Sequence, residues 1–118
     1  YDYGASELMI GPLMFFLIYD DHIVGYRFTP LSVDNCVCDI FWMVRDDAVE
    51  NIDYNINNLT WLWDTTTVAD KTIIMNNQKG INSKFYSPGR LSLMENFQKN
   101  FLDWYIKTIN ANTGHYIE

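Results

Sequence analysis

A single aspartate, Asp70, sits among apolar residues at helical spacing, and it is the strongest chemical signal in the chain. Ile56, Leu59, Trp63, Ile73, Ile74 and Ile81 recur at the steps that mark one face of a helix. Asp70 falls on that face, between Trp63 and Ile73, with Thr66 one turn before it and Asn77 two turns after. A carboxylate in such a stripe is costly unless it is paired, hydrogen-bonded or bound to a metal. The same residues admit a second reading. Thr67-Val68-Ala69-Asp70 has capping-box spacing, in which Thr67 accepts from the N–H of Asp70 and Asp70 reaches back to the N–H of Thr67. Thr65, Thr66 and Thr67 are β-branched and interrupt a helix readily, so the stripe can also be two helices meeting near residues 64–67.

The remaining metal-ligating and nucleophilic residues are sparse. His22 follows Asp20 and Asp21, a trio that is either a ligand group or the polar tip of a hairpin. His115 lies in a polar tail expected to fray from residue 110 onward, where it is expected to be solvated. Cys36 and Cys38 would face the same way on a strand, a poor arrangement for a disulfide between them. With no Cys-x-x-Cys and no neighbouring histidine pair, they encode neither a zinc nor an iron–sulfur site, and buried free thiols in a reducing cytoplasm are expected. A glycine-rich phosphate loop, a Gly-x-Ser-x-Gly elbow and a His-Glu-x-x-His motif are all absent. These residues therefore nominate no catalytic group of their own.

The elements that must position Asp70 follow from the pattern on either side. Residues 13–19 read as a strand buried on both faces or lining a cavity, after a break at Gly11-Pro12 in the apolar run 8–19. Residues 20–22 form a tight turn, 23–29 the return strand, and 30–35 a second turn led by Pro30. Residues 36–44 form a third strand, completing an antiparallel meander with a heavy aromatic load. An acidic connection, 46–50, and cap residues within 53–58 lead into the Asp70 helix, which Gly80 stops. A loop punctuated by Ser87-Pro88-Gly89 precedes a last helix beginning at Met94 or Glu95. In it Phe97, Phe101, Trp104 or Tyr105, and Ile109 share a face. Strands followed by helices make an α+β domain.

At 118 residues the default is one domain, residues 1–118, with a core of useful size. A hydrophobic share of 48% excludes intrinsic disorder. The net charge of −7, with its eight basic residues scattered, argues against nucleic acid and anionic membranes as partners. The apolar run 8–19 is about half of a membrane span and lacks the flanks of a signal peptide, so a cytoplasmic protein is expected. The chain starts Tyr-Asp-Tyr, which suggests a piece of a longer polypeptide or a trimmed one.

Five short motifs occur in order and carry a resemblance: Leu59-Thr60-Trp61-Leu62-Trp63, then Asp70, Asn77-Gln78-Lys79-Gly80, Tyr86-Ser87-Pro88-Gly89, and Asn100-Phe101-Leu102-Asp103-Trp104-Tyr105. Together, and over residues 10–109, the chain resembles the C-terminal part of the catalytic (alpha) subunit of Rieske non-haem iron oxygenases. The resemblance is nearest to the branch acting on betaine, choline or carnitine-like quaternary amines, within the aromatic-ring-hydroxylating dioxygenases. It implies a partial helix-grip (Bet v1-like) domain, an antiparallel sheet curved around a long helix. It also implies a mononuclear Fe(II) held by two histidines and one aspartate, with Asp70 in the aspartate's place and Asn77 and Gln78 as outer support or helix-end packing. Neither His22 nor His115 matches the two histidine ligands, which the resemblance places upstream together with a Rieske domain and its 2Fe-2S cluster.

The resemblance implies that this chain alone binds no iron and is inactive, as a fragment of the catalytic domain or as a truncated relative. The implied partners of an intact parent are the remainder of its polypeptide, a reductase or ferredoxin, and further copies in a homo-oligomer. The implied reaction is dioxygen-dependent hydroxylation of an aromatic or quaternary-amine substrate. Trp61 and Trp63 either line a pocket, form an aromatic cage for a quaternary amine, or pack in the core. Two rival functions use the same residues: a non-catalytic helix-grip module holding an apolar small molecule, and an oligomerising module pairing through a bare sheet edge.

Overall fold

The structure, a computed structural model, describes residues 4–113, and His115 lies outside them. The chain divides into two compact units, Tyr1–Thr72 and Ile73–Glu118, with the boundary inside one long helix. The first unit holds an antiparallel meander of strands β1 (Ser6–Ile10), β2 (Met14–Ile18), β3 (His22–Pro30) and β4 (Cys36–Val44), in the spatial order β1-β2-β3-β4. Helix α1 (Ile56–Ile81) begins in this unit, and the second unit carries a 3-10 turn at Leu93–Glu95 and helix α2 (Asn96–Thr113). Sheet and helices give the α+β architecture that the sequence pattern implies.

Short turns fix the register of the sheet. Tyr19 N–H donates to the His22 carbonyl at 2.9 Å, closing the β2–β3 hairpin over Asp20 and Asp21. Leu31 and Ser32 N–H donate to the Asn35 carbonyl at 2.9 and 3.0 Å, closing the β3–β4 turn. Pro30 belongs to the strand rather than the turn, paired with Cys36 at the last position of the ladder, where its missing N–H costs least. β1 is a strand the apolar run concealed: Gly11, at φ +59°, turns the chain so that residues 6–10 pair with 14–18.

Alternation sorts the sheet into two faces. Phe16, Gly25 and Phe41 lie directly opposite one another across β2, β3 and β4. The Phe41 ring covers the space above Gly25 and meets the Phe16 ring edge-on at 6.0 Å. On the other face, Phe15 and Tyr26 pair across β2 and β3, and Tyr26 meets Trp63 of α1. Among the described hydrophobic residues only Val24 is fully buried, so the core is thinner than the composition implies. Leu8, Ile10, Val37 and Met43 all point to the face away from α1 and are exposed.

Helix α1 is continuous through the three threonines, so neither a break at residues 64–67 nor a cap at Thr67 and Asp70 forms. The reason is local: Thr66 Oγ1 donates to the carbonyls of Leu62 at 2.9 Å and Trp63 at 3.3 Å. Thr72 likewise donates to the Val68 carbonyl at 3.3 Å. Back-bonding of this kind keeps a hydroxyl satisfied inside a helix instead of ending it. The real cap is Asn55, whose Oδ1 accepts from Asn57 N–H at 3.1 Å and Asn58 N–H at 3.2 Å. In the second unit, α2 continues through the polar residues 110–113 that were expected to fray, and the Phe101 ring stacks on Tyr105 at 6.0 Å. Cys36 and Cys38 are free and both exposed, not buried, because their end of β4 extends beyond the cover of α1.

Candidate functional site

Three half-buried residues of α1, Leu59, Trp63 and Thr67, follow one another at intervals of a turn and face the sheet. Trp63 is the contact point: its ring lies 6.0 Å from Tyr19 and 6.4 Å from Tyr26. Tyr26 is clamped from β2 as well, 6.4 Å from the Phe15 ring. Burial pushes the Tyr26 phenol above its ordinary range, with Thr67 opposing the shift and Cys38, Asp70 and Tyr19 adding to it. The helix therefore meets the sheet at Tyr26 through Trp63, and Asp70 follows one turn beyond the last half-buried position, Thr67.

Asp70 itself is exposed, and among the described residues no hydrogen bond or ion pair holds its carboxylate. The desolvation cost expected of a carboxylate in an apolar stripe is consequently not incurred, because the later half of that stripe is open: Ile73 is 66% and Ile74 63% exposed. Asn77 and Gln78 lie further along the same helix and are exposed too. Trp61, the other tryptophan nominated for a pocket or cage, points away from the sheet and is 66% exposed.

His22 is not near Asp70 in the chain's architecture but at the β2–β3 hairpin. Its ring stacks on Tyr19 at 4.8 Å, and Nδ1 donates to Asp21 Oδ1 at 2.7 Å. That bond holds the Asp21 carboxyl below the usual carboxylate range. Two adjoining cavities of about 600 and 350 Å³ open beside this hairpin, walled by Tyr19, Asp21, His22, Asp53, Tyr54 and Leu59. Pattern reading missed Asp53 and Tyr54, since what brings them here is the irregular segment between β4 and α1. There Asn51, at φ +66°, accepts the turn, its N–H donating to the Tyr54 carbonyl at 2.7 Å. Asp53 Oδ2 accepts from Val49 N–H at 2.8 Å in the same segment.

Among the described residues no cluster of three His, Cys, Asp or Glu could hold a metal ion. A carboxylate is a suitable donor for iron(II), but Asp70 stands alone, so these residues do not make an iron site by themselves. No described helix is long and apolar enough to cross a membrane.

A four-stranded antiparallel meander followed by a long helix defines the architecture, with Asp70 exposed on that helix. The chain belongs to the family described as ring hydroxylating alpha subunit (catalytic domain), whose pattern matches residues 1–111. It is 34% identical over 114 residues to the glycine betaine monooxygenase oxygenase subunit of Pseudomonas aeruginosa, covering 96% of this chain and 27% of that protein. Against the glycine betaine monooxygenase oxygenase subunit of Chromohalobacter salexigens it is 34% identical over 109 residues, covering 92% of this chain and 24% of that protein. The chain thus spans about a quarter of the length of the curated relatives it matches.

Proposed function

We propose that these residues form part of the catalytic domain of a Rieske-type non-haem iron oxygenase, and that Asp70 is the one iron donor they contribute. The observation that carries the proposal is the placement of Asp70: an exposed carboxylate one turn beyond the Leu59–Trp63–Thr67 line, on the helix that meets Tyr26 of the sheet through Trp63. An unpaired carboxylate is free to ligate, and a ligand set completed by two imidazoles from outside the described residues would make it one vertex of a facial triad. Iron bound there supplies dioxygen activation. What this chain supplies is the rigid helix that holds the carboxylate and the aromatic wall of Tyr19, Tyr26 and Trp63 beside it. Asn77 and Gln78, on the same helix, would support its later turns.

The same reading places the chain in a cytoplasmic homo-oligomer supplied with electrons by a reductase or ferredoxin, its sheet and α1 being part of a helix-grip domain. Of the aromatic and quaternary-amine substrate classes, the names of the relatives favour the amine. The test is turnover by the full-length polypeptide with its reductase, offered glycine betaine beside toluene. Dioxygen- and reductant-dependent loss of the amine is expected, abolished by Asp70→Ala and retained in Asp64→Ala. Substantial turnover by Asp70→Ala would sink the assignment of Asp70.

A further inference from the structure

We infer that Cys36 and Cys38 form a two-thiolate site that takes one soft monovalent cation, copper(I) in class, between their sulfurs. Both residues lie at the start of β4, opposite Pro30 and Phe28 of β3, and both are free and exposed. With one residue between them, their side chains leave the same face of the strand. β4 is also the last strand in the order β1-β2-β3-β4, so no described strand flanks the pair on its outer side. The two thiols are neighbours that solvent reaches together.

Their spacing decides what they can do. Two residues of antiparallel strand put the Cβ atoms about 6.8 Å apart. A disulfide holds its Cβ atoms about 3.5–4.5 Å apart, so a direct bond would require the strand to buckle. An ion between the sulfurs stretches their separation from about 2.0 Å to about 4.6 Å, twice a thiolate–metal bond of about 2.3 Å. The Cβ separation grows by a similar amount, to about 6–7 Å, which is the spacing the strand provides.

The donor set then selects the ion. Zinc wants four donors in a tetrahedron, and among the described residues no group of three His, Cys, Asp or Glu is placed to hold a metal. Calcium and magnesium want oxygen. The nearest carboxylate in sequence, Asp39, belongs to the other face by alternation, where it accepts from Arg27 Nε at 3.1 Å and Nη2 at 2.8 Å. Thiolates favour soft ions, and copper(I) is satisfied by two of them in line. Phe28 and Pro30, across on β3, give the pair an apolar flank that offers no competing oxygen side chain.

Binding exchanges the cation for two S–H protons, which pass to solvent. The sulfurs keep their electron pairs and copper stays monovalent, so no oxidant or reductant takes part. Neither Asp70 nor iron enters this site, since iron(II) is suited by imidazole and carboxylate rather than by a lone pair of thiolates.

The test titrates the metal-free full chain with copper(I) under argon, with the coloured copper(I)–bicinchoninate complex as competitor. The parent is expected to take up one equivalent more than Cys36→Ser or Cys38→Ser. Either serine variant should bind that ion at least about a hundredfold more weakly, because the second thiolate acts at high effective concentration. Val37→Ser alters only the opposite face and should leave uptake unchanged. Val37→Cys in the Cys38→Ser background restores the number of thiols but splits them between faces, and should not restore the ion. Circular dichroism checks that each variant keeps its fold. Full uptake by either serine variant, recovery by the relocated thiol, or one ion shared between two chains as a copper-induced dimer would each overturn the inference. Copper uptake is read separately from iron content, so failure here leaves the assignment of Asp70 untouched.

Discussion

Replacing Gly25 with alanine should destabilise the sheet by about 2 kcal/mol, and the reason is a single ring. Gly25 is buried on β3, directly between Phe16 of β2 and Phe41 of β4. A Cβ built there would overlap Cζ and Cε2 of Phe41 and stand 3.0 Å from its Cε1. The ring must therefore swing aside, and it is held by an edge-on contact with Phe16 at 6.0 Å and 77°. Losing that contact costs about 0.5–1.5 kcal/mol. Forcing an extra methyl into a packed position costs about 1–3 kcal/mol, while alanine's lower chain entropy in a strand returns about 0.5–1 kcal/mol. The net loss, about 2 kcal/mol, is roughly a thirtyfold shift toward the unfolded chain. Urea unfolding of the full chain measures it as a lower midpoint at unchanged slope. Phe41→Leu in the alanine background should recover part of the loss, since the smaller side chain vacates the space. An alanine variant within about 0.5 kcal/mol of the parent, or a double variant showing no recovery, would refute the claim that Phe41 requires a glycine opposite it.

Two further outcomes follow from the helix starts. Asn55→Ala should cost about 1 kcal/mol by freeing the N–H groups of Asn57 and Asn58, and thermal melting of α1 by circular dichroism would show it. Glu95 accepts from Ser92 N–H at 2.6 Å, and that bond holds its carboxyl below the ordinary glutamate range. Its folded pKa being depressed, the contribution to stability is fully present above the unfolded pKa of about 4.3 and is lost as pH falls through the folded value. NMR titration should find Glu95 ionised at a pH where free glutamate is half protonated, and Glu95→Gln should remove that part of the acid sensitivity.

Most of the architecture is legible in the sequence because it rests on local signals. The alternation in residues 23–29 and 36–44, the polar hairpin tip at Asp20 and Asp21, and the spacing from Leu59 to Ile81 each name their element without tertiary help. What stayed hidden is what the pattern averages over. β1 was absorbed into one apolar run, because a strand on each side of Gly11 has the same composition as a single longer one. The threonines of α1 read as a break because propensity counts their branching but not the back-bonds of Thr66 and Thr72. The exposure of Asp70 was not legible, because whether Ile73 and Ile74 are covered is decided by chain packing rather than by period. The cavity beside the β2–β3 hairpin was out of reach for the same reason: Tyr19, Asp53 and Trp63 belong to three separate segments that only the folded turns bring together.

The central claim is that Asp70 is an iron donor, and the most direct test counts iron in the full-length polypeptide with and without it. Asp70 is exposed and α1 favours alanine, so Asp70→Ala should leave stability within about 0.5 kcal/mol and isolate the metal from the fold. The account predicts that Asp70→Ala lowers the iron content by about one atom per chain while Asp64→Ala leaves it unchanged. Full iron content in Asp70→Ala would contradict it and return Asp70 to the surface of a helix.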